Sequence, residues 1–350
     1  PLGVRGRRVH TLVFAPNFTV ARKINDELLG RGCNLSSDGR PIVGLSCKQI
    51  ADIVLSISEK CLVIPAHCWT PWFSLYGSKG GFDSIEECFG EFSNQIYAVE
   101  SGLSSDPLMN WRIKELERRA IVSFSDAHSP MKLGREATVF QGDKNFDYND
   151  VYGAIAERYL GKNEGKLKID YTIEFYPEEG KYHYTGHRKC GVKQEGITCP
   201  VCGRSLTRGV LSRVQELAGS EVEAVKKINQ QGVIFNYHPT DETRPGYVKL
   251  VPLGEILAQV HGVGVGSKQV QLEYERLIGE LGGEFQVLLD TSIERLVGLG
   301  GDKLAAAIDR VRRQKISIDP GYDGEYGKVE IWSDEPPFAK ASGGEQISLF

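Results

Sequence analysis

Short apolar runs of strand character alternate with helical stripes through the first half of the chain. Residues 9–14 form an apolar run that ends at Ala15-Pro16. Over residues 20–29, Ile24, Leu28 and Leu29 share one helical face. Over about 47–59, Ile50, Ile53, Val54 and Ile57 do the same. Residues 61–65, 97–100 and 121–124 read as strands, with helices expected from Ser84 and over 111–119. Strand then helix, repeated, predicts an α/β fold built on a parallel barrel or sheet. The pattern changes after Glu174. Further on, helical stripes at 256–260, 267–281, 292–297 and 303–313 flank Gly262-Val-Gly264 and Gly298-Leu-Gly300-Gly301. From Asp334 the chain is rich in Pro, Ser and Gly and is expected to be disordered.

Candidate chemistry collects where the apolar runs stop. Val122-Ser-Phe-Ser-Asp-Ala-His-Ser-Pro130 reads as a strand ending in Asp126-Ala-His128. Residues two apart share a strand face, so Asp126 and His128 are expected to project together. His67 closes Val63-Ile-Pro-Ala-His67, and His10 opens the first strand. A carboxylate and imidazoles at strand ends suit a hydrolytic metal site; a capping Asp in a turn is the plainer reading. The aromatic, Gly-rich loop 69–81, which holds Trp72 and Lys79, is either a stacking surface beside His67 or part of the core.

Cys190, then Cys199-Pro-Val-Cys202-Gly203, has the form of a zinc knuckle. A redox-active Cys-x-x-Cys is the alternative. His187 is the favoured fourth ligand and His183 its rival. His238 reads as part of a polar loop. The paired Gly-x-Gly turns would present amides to a DNA phosphate, with Gly262, Gly264, Lys268, Gly298 and Gly300 as contacts, or they are ordinary bundle turns. Arg310, Arg312, Arg313 and Lys315 would suit phosphates or line a solvated helix face. The chain ends Gln346-Ile347-Ser-Leu349-Phe350: apolar anchors on a tether, the pattern of a peptide that binds a groove such as that of a sliding clamp.

Composition narrows these readings. The chain has 350 residues, enough for two or three domains, and a net charge of −4, so only local basic groups could meet nucleic acid. Pro1-Leu-Gly reads as a tag remnant or an arbitrary start. No apolar run has the length of a membrane span, no secretory leader is expected, and eight scattered cysteines do not form a secreted disulfide framework. A reducing, cytoplasmic compartment is expected, with no membrane partner.

Several long motifs resemble the endonuclease Q family. They are Pro65-Ala-His67-x-Trp-Thr-Pro-Trp-Phe-Ser, Gly81-Phe-Asp-Ser-Ile-Glu-Glu-Cys-Phe89, Glu100-Ser-Gly-Leu-Ser-Ser-Asp-Pro107, Ser125-Asp-Ala-His-Ser-Pro-x-Lys-Leu-Gly-Arg-Glu136, Pro177-Glu-Glu-Gly-Lys-Tyr-His183, Gly186-His-Arg-Lys-Cys-Gly191 and Pro320-Gly-Tyr-Asp-Gly-Glu-Tyr-Gly327. The resemblance spans residues 8–331. It implies a polymerase-and-histidinol-phosphatase (PHP) type distorted β/α barrel over 1–182, a zinc-binding domain over 183–222 and a helical DNA-binding domain over 223–333. A clamp-binding tail over 334–350 completes the expected organisation. It implies a hydrolase that nicks DNA 5′ to uracil, hypoxanthine, xanthine and abasic sites. His10, His67, Asp126 and His128 match its metal positions, for Mg2+, Mn2+ or Zn2+, with His67, Asp126 and His128 in catalytic roles. His187, Cys190, Cys199 and Cys202 would hold a structural Zn2+.

Two departures qualify the match. The family opens with a His-x-His motif and further ligands, and this sequence contains no His-x-His. The chain is therefore expected to lack the first barrel strands, which keeps two other readings in play: a phosphoesterase acting on small phosphate esters, or a non-catalytic module that binds lesions or a clamp. The second departure is Ser212, where the family more often has His; packing or support of the zinc site is expected there.

Overall fold

A computed structural model describes residues 7–36 and 39–332. The tail residues Gln346, Ile347, Leu349 and Phe350 lie outside the described residues. The protein is a mixed α/β molecule with a helical C-terminal region. It divides into two compact units. Among the described residues, those up to Phe124 form one with Thr138–Asp170 and Arg213–Glu221. Ser125–Ala137, Tyr171–Ser212 and residues 222–332 form the other. Among the described residues no helix is long and apolar enough to cross a membrane.

In the first unit, strand Thr11–Phe14 runs antiparallel to Leu62–Pro65, with Thr11 opposite Pro65. Ala98–Glu100 runs parallel to Ala120–Val122. The antiparallel first pair departs from the all-parallel expectation, because apolar periodicity reports burial and not strand direction. Leu62, Ile64, Ala98, Ala120 and Val122 pack with Tyr152, Ile155 and Ala156 of helix Tyr148–Leu160. Burying each of the larger aliphatic side chains stabilises by about 1.5–3 kcal/mol. That helix starts at Asp147, which forms a reciprocal capping box with Asp150, and stops at the left-handed Gly161. The single helix expected over 111–119 is instead a short helix, Pro107–Trp111, and a 3-10 turn, Lys114–Leu116. Asp106 caps the Met109 amide at 2.9 Å and Pro107 follows at the first helical position, which fixes the start earlier.

In the second unit, residues 171–174 run parallel to Gly246–Lys249, which pairs antiparallel with Ile234–Tyr237 and through it with Val225–Ile228. Strands therefore occupy the start of the region expected to be helical, and the helices begin at Leu253. Leu253–His261 and Lys268–Leu281 flank the first glycine turn. The second expected turn is different. Gly298 and Gly300 lie within helix Ile293–Arg312, and the break falls at Gly301, whose φ of 78° and ψ of 170° no helix tolerates. Arg312 also departs from expectation. It is 1% exposed, and its guanidinium donates to the carbonyls of Leu288, Val287, Thr291 and Gln231 at 2.7–3.2 Å, so it cannot meet phosphate. Arg310 holds the Ile331 carbonyl and Arg313 pairs with Asp309 at 2.8 Å.

Candidate metal centres

His10 and His67 stand at the ends of the two antiparallel strands. The His10 amide donates to the Phe73 carbonyl and its carbonyl accepts from Ala66, both at 2.8 Å. His67 has a left-handed backbone, with φ 32°. Such strain in a non-glycine residue persists only where the surroundings hold it. Here Glu100 holds it. Its carboxylate, 1% exposed at the end of strand Ala98–Glu100, accepts the His67 amide through one oxygen. The other oxygen accepts the amides of Gly102 at 3.0 Å and Phe124 at 3.2 Å. One buried charge is thus stabilised by main-chain donors from three segments. Gly102, with φ 60°, makes the arrangement possible: a Cβ there would lie 2.5 Å from His67 Cβ.

The His67 ring is fixed as well. Its Nδ1 lies 2.9 Å from Thr70 Oγ1, and that hydroxyl lies 2.9 Å from the Trp72 carbonyl, to which it must donate. Thr70 Oγ1 is then left to accept, so Nδ1 carries the ring proton and Nε2 the lone pair. That Nε2 faces His10 Nδ1 at 2.9 Å. Two imidazoles converge here, one with its tautomer set by a partner on the far nitrogen, an arrangement able to offer lone pairs to a cation. Glu100, Thr70 and Gly102 were not singled out from sequence. The signal available was an acidic residue ending a buried apolar strand.

Asp126 and His128 do not share a strand face. The strand stops at Val122, and Asp126 has φ 42°, so two-residue alternation no longer applies. Asp126 is half-buried and His128 exposed, with Nδ1 donating to the Asp126 carbonyl at 2.7 Å. That bond makes Nε2 the lone-pair nitrogen of His128.

His187 and the three knuckle cysteines form a cluster that could hold a metal ion. Donor atoms of His187, Cys190, Cys199 and Cys202 all lie within 4.8 Å of one another, and Cys202 Sγ is 3.3 Å from His187 Nδ1. Gly191, after Cys190, and Gly203, after Cys202, turn the chain in left-handed conformations, and the Gly203 amide donates to the Cys199 carbonyl at 2.9 Å. Burial works against ionisation of Cys199, but the amides of Cys202 and Val201 and the His187 ring outweigh it and hold its thiol down at about 6. The neighbouring Cys202 thiol, with burial, pushes Cys190 up to about 11. Three thiols and an imidazole at this spacing are the donor set of a closed tetrahedral zinc site. His183 is buried outside that group. Ser212 lies between Thr185 and Glu195, with its hydroxyl donating to the Glu195 carboxylate at 2.6 Å.

The aromatic loop divides into core and surface. Trp69 and Tyr76 are 0% exposed, stacked with ring centroids 4.7 Å apart, and bonded to Asn110 and Glu115 at 2.8 Å. Trp72 is 43% and Phe73 47% exposed, and Lys79 is exposed. Arg213 closes the loop by donating to the Tyr76 carbonyl at 3.0 Å and the Phe82 carbonyl at 3.1 Å. In the first glycine turn Gly262, Gly264 and Lys268 are exposed. A Cβ on Gly264 would meet nothing within 4 Å, so nothing inside the protein requires glycine there.

Residues 252–315 match the model of the MJ0043 C-terminal domain family. The chain is 36% identical to MJ0043 of Methanocaldococcus jannaschii over 76% of its own length, and spans 31% of that protein. It is 30% identical to YqxK of Bacillus subtilis, covering 92% of this chain and 74% of YqxK. The crystal structure of the lesion-specific endonuclease PfuEndoQ from Pyrococcus furiosus superposes with a TM-score of 0.77 at 32% identity, over 92% of this chain and 75% of that one. Endonuclease Q bound to a 27-mer duplex with an abasic lesion at the active site gives 0.76 at 32% identity, over 93% and 76%.

Proposed function

The chain belongs to the endonuclease Q family, and from that premise we propose that it is a metal-dependent DNA repair endonuclease of the cytoplasm. It would nick the phosphodiester bond 5′ to deaminated bases (uracil, hypoxanthine, xanthine) and to abasic sites. The observation that carries this reading is the His10–His67 pair, with the His67 backbone held by Glu100 and its ring by Thr70. Divalent ions bound there would supply an activated water and offset charge on the scissile phosphate. We assign His10, His67, Asp126 and His128 to hold them, and His67, Asp126 and His128 to the catalytic step. His67 and His128 would each donate through Nε2, since Nδ1 is held by Thr70 in one and by the Asp126 carbonyl in the other.

The remaining residues serve recognition. Extruding a base costs least where pairing is already weakened, as at a deaminated or missing base. Exposed Trp72 offers a face for stacking, and Lys79 a charge for the backbone. Gly262, Gly264 and Lys268 would take a phosphate on amides and an ammonium group without reading sequence. Gly298 and Gly300 would approach the backbone through the break at Gly301. Structural Zn2+ on His187, Cys190, Cys199 and Cys202 would hold the knuckle. The terminal peptide Gln346, Ile347, Leu349 and Phe350 would dock on a sliding clamp.

The test is an end-labelled duplex carrying one deoxyuridine or abasic site, with Mg2+ or Mn2+. A cut immediately 5′ to the lesion is expected, lost in Asp126→Asn at unchanged DNA affinity. Hydrolysis of small phosphate esters without action on DNA would replace this reading with a phosphoesterase. Lesion binding without a nick would replace it with a binding module.

A further inference from the structure

Ser125–Ala137 is a loop whose root and body belong to different units. At the root, Thr138 Oγ1 accepts the Ser123 amide at 2.9 Å and donates to the Ser123 carbonyl at 3.0 Å, both within the first unit. The loop itself groups with the second unit, and its C-terminal half shows why. Lys132 Nζ lies 3.6 Å from Glu255 Oε1. The backbone at Gly134, with φ 77°, runs against Phe285, so that a Cβ there would stand 3.6 Å from Phe285 Cζ. The Arg135 guanidinium lies 5.8 Å from the Phe175 ring centroid. Glu136, 2% exposed, accepts the Phe175 amide at 3.2 Å.

Two of these partners belong to the helical region. Glu255 sits in the first turn of helix Leu253–His261. Phe285 follows Glu284, whose carboxylate accepts the Leu253 amide at 2.7 Å and so fixes the start of that same helix. The N-terminal half of the loop carries Asp126 and His128, and the 3-10 turn Pro130–Lys132 joins it to the anchored half. A half-exposed ion pair alone stabilises little. Joined to the Phe285 contact and the buried Glu136 bond, it selects one conformation of a loop that would otherwise open locally.

We propose that Glu255 and Phe285 are positioning residues for Asp126 and His128, so that the helical region expected to hold DNA also sets the geometry of two metal ligands. The proposal rests on the assignment of Asp126 and His128 to the metal site and deepens it: a helical region displaced from DNA register would displace the loop as well. Glu255 touches no reacting atom; it acts through Lys132.

Hydrogen exchange of peptides covering 125–137, in the full-length protein without metal or DNA, tests the anchoring directly. Glu255→Gln combined with Phe285→Ala is expected to raise exchange there about tenfold and leave 268–281 unchanged. Nicking should lose about tenfold in kcat with KM for the lesion duplex unchanged, as small misplacements do. The reversed pair, Lys132→Glu with Glu255→Lys and Phe285 intact, should exchange and nick as wild type does. Unchanged exchange in the double variant overturns the proposal, as does a reversed pair that exchanges as fast as the double variant. A protein that shows the exchange effect but nicks no lesion would refute the catalytic reading and leave the anchoring in place.

Discussion

The carboxylate of Glu100 accepts the main-chain amide of His67, so a buried charge at the end of one strand holds the strained backbone just beyond another. Glu100→Gln keeps the shape but puts an NH2 group against an amide. It should lower metal affinity about 10–100-fold, the usual effect of losing a ligand's support. It should also cost about 1–3 kcal/mol of stability through the unsatisfied amide. Metal titration by calorimetry and denaturant unfolding of the same variant check both numbers.

The knuckle should retain one zinc ion per chain through dialysis, measured by elemental analysis. Cys199→Ser should lose that ion and expose residues 186–205 to protease, while His183→Ala keeps it. Zinc retained by Cys199→Ser would remove that residue from the site.

Stability should depend on pH through Glu179. Burial first, then the charges of Glu255 and Glu178, raises its carboxyl to about 9, with Arg135 and Lys132 opposing. The folded state therefore keeps a proton that the unfolded chain gives up near its ordinary value of 4.5. The stabilisation is complete below that value and is lost as pH rises toward 9. Glu179→Gln should flatten this fall, so its melting temperature relative to wild type rises between pH 5 and pH 9. A constant difference across that range would show that Glu179 is charged when folded.

Two tryptophans three residues apart should behave oppositely. Trp69→Ala should destabilise by about 3–5 kcal/mol, since it empties the core beside Tyr76. Trp72→Ala should leave stability within about 0.5 kcal/mol and weaken binding of a lesion duplex by about 1–3 kcal/mol. Thermal unfolding and fluorescence anisotropy distinguish the two.

Changing Leu349 and Phe350 to Ala should abolish capture by an immobilised sliding clamp and leave nicking of free duplex intact. Capture that survives the change would leave the terminal peptide without that role.

What the sequence made legible was chemistry tied to spacing. Cys190, Cys199 and Cys202 with His187 needed only a turn geometry that glycine announces, and His10 and His67 needed only strand ends. Glu100 opens one of the motifs of the family resemblance, but its role is not legible there, because it acts on main-chain amides, which carry no residue signature. Asp126 and His128 were placed on a shared strand face because alternation presumes extended backbone, and a positive φ at Asp126 ends it. Gly298 and Gly300 looked like a turn because glycine permits many conformations, while the break needed just Gly301. The arginines near the end of the last helix had the composition of a phosphate face. Burial of Arg312 was decided by distant carbonyls that periodicity does not report.

That arginine also sets where the helical region can be cut. Its guanidinium reaches the carbonyls of Val287, Leu288 and Thr291 in the helical region and of Gln231 in the turn between two strands. The segment 252–315 matched by the family model contains the first three acceptors and not the fourth. A fragment cut at residue 252 loses that acceptor, so one that begins with the strand at Val225 and keeps Gln231 is expected to melt higher.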